Sequence, residues 1–386
     1  MAKGPIFLAA LAALSPWVYD RYQALSTMLE NRPSKLQNFN GFVSHEVKFR
    51  DELRNCEDVL VEEGMGIAFL SCNPERDQWN TVMGTLVPRI AGKEPPHIWI
   101  YDYSNPSSQS LKPLTLTNYA NASDFQPLGI EYDAATSTLY VINHSRNSGN
   151  IIEVFQVSVQ DAVATHVQTV KHPLLYTPNS IHSLGNGKLL VTNDHFIGSL
   201  TSPLLSTVET FAGVPSGSVV YTDVRNMSQT KTLARLPFAN GITMLNTTTV
   251  AVASSSKPGL YFYTFDAGTP SLQFNNFVRA PSGVDNLAVD STGKLTMAGH
   301  PFALELVKVS KARANCDMSG SEEAKKACEC TAPSWAAEWS GEAGFKTLYK
   351  NSGEEFCSSS AFARDVSRGV GFVTGLYDRG ILLVRE

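Results

Sequence analysis

The run Phe238-Ala239-Asn240-Gly241-Ile242-Thr243-Met244-Leu245-Asn246-Thr247-Thr248-Thr249-Val250-Ala251-Val252-Ala253 holds the unit from which the chain is built. A small, polar cluster leads into alternating apolar residues, Asn246-Thr247-Thr248 makes a turn, and a second β-rich run follows, as in a hairpin with one buried face. Outward in both directions the unit recurs. Six copies start at Glu57-Asp58-Val59-Leu60, Leu128-Gly129-Ile130-Glu131, Asn179-Ser180-Ile181, Asn240, Asp285-Asn286-Leu287-Ala288 and Ser359-Ser360-Ala361. Their starts lie about 45 to 75 residues apart, room for four short strands each. Turn signals recur at Glu62-Glu63-Gly64, Gly185-Asn186-Gly187 and Asp290-Ser291-Thr292-Gly293, and outer strands at Ile98-Trp99-Ile100-Tyr101, Ile152-Glu153-Val154-Phe155 and residues 260–265. The pattern predicts an all-β, six-bladed propeller over residues 36–386, because radial closure protects strand edges that an open sheet of this size would expose. After the N-terminal segment the first helical pattern is residues 321–330, read as a short surface helix in an insertion near 312–345.

Composition agrees with a folded protein: 386 residues, 43% hydrophobic and 17% charged, with a net charge of −5. The negative balance argues against a phosphate-binding surface and nucleic acid. No Walker loop or dinucleotide fingerprint is present, which sets aside ATP and NAD chemistry. Residues 1–35 stand apart. Lys3 and the apolar run from Pro5 to Leu14 resemble a signal h-region too short for a membrane span, yet Trp17, Val18, Tyr19, Tyr22, Leu25, Met28 and Leu29 continue a helical spacing. The segment reads as a cleaved signal or a retained amphipathic anchor; both point to the secretory pathway, secreted or at a membrane surface. Six cysteines fit that compartment. Cys56 and Cys72 flank a hairpin and can face each other across it. Cys316, Cys328, Cys330 and Cys357 leave three connectivities, with Cys328–Cys330 disfavoured, and a zinc reading of the first three lacks a fourth ligand. Glycosylation sequons stand at Asn121, Asn226 and Asn246, and a fourth, Asn143-His144-Ser145, is expected to be buried.

In a propeller the first strand of each blade lines the channel, so Glu57, Asp58, Asn179, Asn240, Asp285 and Asn286 converge on the axis. Carboxylate and amide oxygens without Cys or His suit Ca²⁺ better than Zn²⁺ or Cu²⁺. Asn and Asp also cap strand turns, but this alternative weakens when most of six equivalent positions carry them.

These residues resemble the paraoxonase/arylesterase family of six-bladed calcium propellers. Glu57-Asp58, Tyr140-Val141-Ile142-Asn143-His144, Thr192-Asn193-Asp194-His195, Phe238-Ala239-Asn240-Gly241-Ile242, Val284-Asp285-Asn286 and Gly299-His300-Pro301 stand in the family's order along nearly the whole chain. The resemblance implies one catalytic calcium on Glu57, Asn179, Asn240, Asp285 and Asn286, and a second, structural calcium on Asp58 and the backbone of Ile130. It makes His144 one half of a histidine dyad. The other half is Leu128 in this chain, which cannot take a proton. Ser180 stands where the family has an aspartate for the second calcium. The family's closing disulfide to the extreme C-terminus has no counterpart in Leu382-Leu383-Val384-Arg385-Glu386.

The implied activity is calcium-dependent hydrolysis of lipophilic lactones or aryl esters, the metal stabilising the developing oxyanion while a base activates water. With Leu128 in place of a histidine, His144 is the first candidate base and Asp285 or Glu57 the second; His144 as a hydrogen-bonded core residue is the alternative. His300 is expected to line the pocket and Phe238 to form an apolar wall. His195, beside Asp194, is expected to support the channel or simply to pack. The serine run at 358–360 lacks a nucleophile elbow and reads as a turn. Two other functions fit a channel without that histidine: a non-hydrolytic calcium-dependent cyclase, dehydratase or isomerase of a lipophilic metabolite, or a binding propeller in which calcium is structural.

Overall fold

The computed structural model describes residues 3–89, 94–107 and 109–386, with side chains of the first helix from Leu14 onward. The apolar residues 5–13 of the N-terminal segment therefore lie outside the described side chains. Six blades, each built on four antiparallel strands, surround a central channel; Thr115–Thr117 adds a fifth, parallel strand to the second blade and Phe39–Asn40 a fifth, antiparallel strand to the fifth. The inner strands of the six blades are Cys56–Glu62, Pro127–Asp133, Pro178–Ser183, Ala239–Met244, Gly283–Val289 and Ser359–Asp365. All six coincide with the repeat starts. The blades are held by apolar layers between neighbours: Val59, Leu70 and Tyr101 of blade 1 meet Ala361 and Phe372 of blade 6, and Val250 and Val252 of blade 4 meet Val219 and Tyr221 of blade 3. Each fully buried side chain of this size contributes about 1.5–3 kcal/mol.

Closure uses strands from both ends of the chain. Ser44–Lys48 pairs with Ile381–Arg385 as the outer strand of blade 6, His45 opposite Val384. The six cysteines pair as Cys56–Cys72, directly across the first hairpin, Cys316–Cys328 and Cys330–Cys357. With every sulfur in a disulfide, the zinc reading is ruled out.

The helices depart most from expectation. The helix expected at residues 321–330 is only Glu322–Lys326, and the insertion in blade 5 runs from 301 to 333, between Leu295–His300 and Ser334–Ser340. Two longer helices, Pro203–Ala212 and Ala303–Arg313, were not anticipated. The first has the signals of a helix: the Ser202 side chain accepts from Leu205 N–H, Pro203 opens the first turn, and Gly213 ends it at φ 61°. Leu204, Leu205 and Val208 are exposed, and its buried residues are Ser206 and Glu209, so it lacks the buried apolar stripe that marks most helices. Ala303–Arg313 alternates Leu, Val and polar residues in a way that also suits a strand.

The N-terminal helix, Lys3–Glu30, lies across one end of the channel together with those two. Asp20 pairs with Arg279 at 2.5 Å and Lys257 at 3.5 Å, Arg21 donates to the Ser256 carbonyl, and Trp17 Nε1 donates to Ala212 O. Among the described residues no helix is long and apolar enough to cross a membrane.

Candidate active site

Every inner strand carries a β-bulge at the same height. Pairing skips between Cys56 and Asp58, Pro127 and Ile130, Pro178 and Ile181, Ala239 and Ile242, Val284 and Leu287, and Ser359 and Ala361. The residues left out of the ladders are Glu57, Leu128, Asn179, Asn240, Asp285 with Asn286, and Ser360, along with Gly129, Ser180 and Gly241. A bulge re-aims the side chain it frees, and here six bulges deliver one set of side chains to the axis. The strands crowd together where they bulge: a Cβ on Gly241 would lie 2.7 Å from Asp285 O, and one on Gly129 2.3 Å from Asn179 O. Glycine lets neighbouring backbones approach this closely.

Glu57, Asn179, Asn240 and Asp285 line one cavity of about 450 Å³, with Leu128, Phe238 and His300 in its wall. Asn286 joins the set by donating to Glu57 Oε1 at 2.9 Å. Four of the five candidate ligands keep a buried oxygen with no hydrogen-bond partner: Glu57 Oε2, Asn179 Oδ1, Asn240 Oδ1 and Asn286 Oδ1. Each such acceptor costs about 1–3 kcal/mol. Their amide nitrogens are engaged, Asn179 with Asp194 and Asn240 with Ser255, which turns the carbonyl oxygens away from those partners. Burial, followed by the nearby Asp58 and Asp285 carboxylates, pushes Glu57 well above the usual carboxyl range. A hard dication relieves both penalties at once, so the donor set fits calcium. It is an amide-rich set: among the described residues no three His, Cys, Asp or Glu side chains form a metal cluster.

The second calcium fits less well. Both Asp58 oxygens already accept backbone N–H groups, from Val59 at 2.8 Å and Ile130 at 3.0 Å, and Ser180 supplies no carboxylate. Asp58, Ile130 and Ser180 border a separate cavity of about 260 Å³ on the channel. Both Asp58 oxygens there are thus engaged by the chain's own backbone.

The histidines sort differently from the expectation. His144 does not line the cavity. Its Nδ1 lies 2.5 Å from Thr81 Oγ1 and its Nε2 2.7 Å from Pro178 O, and burial lowers its pKa. The Pro178 carbonyl needs a donor, so the neutral ring carries its proton on Nε2 and accepts from Thr81 through Nδ1. Neither nitrogen is left for substrate. Trp79 Nε1 donates to His144 O, so this residue ties residues 79–81 to the strand bearing Asn179. With both ring nitrogens hydrogen-bonded inside the protein, His144 has the arrangement of the hydrogen-bonded core residue that was the alternative to a base.

His300 stands in the cavity wall. Its Nε2 lies 2.8 Å from Asp285 Oδ2, while the buried Nδ1 has no partner. With Nε2–H donating to Asp285, Nδ1 presents a lone pair. This pairing was missed because it depends on the bulge that turns Asp285 toward the end of the neighbouring strand. His195 is behind the wall: Nδ1 pairs with Asp194, itself bonded to Asn179, and Nε2 meets Thr210 Oγ1 on the helix Pro203–Ala212. Burial works against its charge, but Asp194 and Glu209 outweigh it and raise its pKa. Phe238 packs on His195 with ring centres 4.5 Å apart and holds a left-handed φ of 39°, a strained conformation of the kind found beside functional sites. Leu128 is buried in the wall and also packs into the core between blades 2 and 3. The serines at 358–360 are buried, with Ser359 bridging Trp335 and Gly299.

The sequence profile of the Arylesterase family matches residues 85–319, more than half of the chain. Rabbit (Oryctolagus cuniculus) serum paraoxonase/lactonase 3 is 28% identical over 57% of this chain and 62% of the rabbit protein. Mouse (Mus musculus) serum paraoxonase/arylesterase 1 is 30% identical over 49% of this chain, and the match spans 53% of the mouse protein. The matched region thus spans less than two thirds of either relative. Among solved structures, a gluconolactonase from Xanthomonas campestris superposes with a TM-score of 0.51 at 13% identity, covering 92% of each chain, a likeness of fold alone.

Proposed function

The chain belongs to the arylesterase family, and on that premise we propose that it is a calcium-dependent hydrolase of lactones or aryl esters working in the channel cavity. The observation that carries the reading is the set of buried, unpartnered oxygens on Glu57, Asn179, Asn240 and Asn286, gathered from four blades beside an apolar-walled cavity. With Asp285 they would hold the ion, which when bound supplies a Lewis acid for the substrate's carbonyl oxygen.

The chain's own residues supply the rest. His300 Nδ1 accepts a proton from the attacking water, and Asp285, on Nε2–H, fixes the ring and its tautomer. Asn179 is oriented by Asp194, and Asp194 in turn by His195. Leu128, Phe238, Val82, Met83 and Leu306 give the cavity walls that receive a lipophilic acyl or aryl group and displace water. The N-terminal helix walls the cavity through Ala24, Leu25 and Met28, which favours its retention in the working protein.

Leu14, Trp17, Val18, Tyr19 and Tyr22 on that helix, and Leu204, Leu205 and Val208 on the helix Pro203–Ala212, are exposed near the same mouth. This apolar surface supports association with a membrane face, where lipophilic substrates concentrate. Three disulfides suit an oxidising compartment and the secretory pathway. Asn121, Asn226 and Asn246 are exposed, which suits glycosylation. The test is turnover of phenyl acetate and of aliphatic and aromatic lactones by calcium-loaded and chelator-treated protein. Chelator-sensitive hydrolysis supports the reading. Absence of turnover in protein that contains calcium would refute it and favour the non-hydrolytic alternative, to which the apolar Leu128 is already suited.

A further inference from the structure

The roof of the cavity carries a charge that hydrolysis of a neutral ester does not use. Along the helix Ala303–Arg313, Ala303, Val307 and Lys311 recur every four residues and all face the cavity. Lys311 is exposed, and among the described residues no carboxylate lies within ion-pair distance of it, whereas Lys308 on the same helix is paired to Glu305 at 2.8 Å. On the N-terminal helix, Arg21 lines the same cavity. Its Nη1 donates to Ser256 O and its Nη2 to Asp20, but its Nε–H is buried without a partner. Asp20 is the one carboxylate shared by Arg21, Arg279 and Lys257. The mouth is therefore positive, while the floor holds Glu57 and Asp285.

We propose that Lys311 is a specificity residue, and that the substrate is a lipophilic ester or lactone bearing a carboxylate remote from the reacting carbonyl. This rests on the cavity being the substrate site. In such a molecule the apolar body fills the walls, the reacting carbonyl reaches the oxygen ring, and the distal carboxylate meets the Lys311 ammonium. A charge-assisted contact at a partly enclosed apolar mouth is stronger than an open surface ion pair. The opposite orientation, carboxylate toward the ion held by Glu57 and Asp285, is the competing pose that the test separates.

The test uses the full chain loaded with calcium and two probes of one shape, 4-butylbenzoate and 4-butylbenzamide, titrated calorimetrically at low ionic strength. The carboxylate is expected to bind about tenfold more tightly than the amide. That ratio falls toward one in Lys311→Met and inverts in Lys311→Glu, with thermal midpoint and calcium content measured to show that each variant is folded. Equal binding of the two probes by the wild type, or a preference that survives Lys311→Glu, overturns the proposal; the latter marks a carboxylate held at the metal end. Turnover of 4-acetoxybenzoate and its methyl ester separates this from the hydrolase reading. Benzoate preference without turnover of either ester refutes hydrolysis and leaves the role of Lys311 standing, whereas equal kcat/KM for both esters refutes Lys311 alone.

Discussion

His300 Nε2 lies 2.8 Å from Asp285 Oδ2, and the far nitrogen of the ring has no partner. One carboxylate therefore belongs both to the candidate oxygen ring and to a histidine whose second ring nitrogen makes no hydrogen bond. His300→Gln is expected to lower kcat by about 10²–10⁴-fold, the usual worth of a general base, with calcium affinity retained. His144→Gln should act more on KM and thermal stability than on kcat, because it loosens residues 79–81 and the strand of Asn179. Equal kcat losses in the two variants would contradict this division.

Asn240 offers the metal an amide oxygen and spends its nitrogen on Ser255. Asn240→Ala should weaken calcium binding and lower the thermal midpoint measured with calcium present. A ligand bound only by the folded state at a hundredfold excess over its Kd adds about 2.7 kcal/mol. Calorimetric calcium titration and thermal melts check this; an unchanged calcium isotherm would sink the assignment.

Gly241 should not tolerate a side chain. Its Cβ would lie 2.6 Å from Leu287 N and 2.7 Å from Asp285 O, so Gly241→Ala must push apart the strands that carry the three candidate ligands Asn240, Asp285 and Asn286. We expect a loss of about 1–3 kcal/mol in denaturant unfolding together with weaker calcium binding. Loss of stability with wild-type calcium affinity would show that the bulge does not set the ligand geometry.

The repeat was legible because hairpins write themselves in side chains: alternation at Ile242, Met244, Val250 and Val252, with a turn at Asn246, has no helical reading. Cys56 and Cys72 were legible for the same reason, the hairpin between them placing them opposite each other. The bulges were not, since a ladder that skips a residue is a backbone event which Asn179-Ser180 or Asp285-Asn286 does not announce. The contact between His300 and Asp285 turned on that invisible detail. Leu204, Leu205 and Val208 hid their helix by being exposed, and the closing strand Ser44–Lys48 is short, polar and far from its partner in sequence.

Acid should unfold the protein partly through blade 5. Arg364 donates two hydrogen bonds to Asp290 Oδ2 and others to Glu338 and Glu386. Burial opposes the Asp290 charge, yet the Thr292 hydroxyl and Arg364 outweigh it and hold the pKa below its ordinary value of 3.8. A carboxyl lowered on folding contributes stability that is complete above its unfolded pKa and is lost as the pH falls through the folded one. Asp290→Asn should therefore cost about 3 kcal/mol at neutral pH and show a shallower fall in thermal midpoint as the pH drops below 4. Parallel pH profiles for the variant and the wild type would contradict it.

The most direct test of the account is turnover of phenyl acetate during a calcium titration of chelator-treated protein, wild type beside Asn240→Ala. The account predicts no turnover without calcium, recovery along a saturable curve in the wild type, and a curve shifted at least tenfold to higher calcium in the variant. Turnover that survives chelation, or identical curves for the two proteins, would contradict a calcium site built from the bulges of the inner strands.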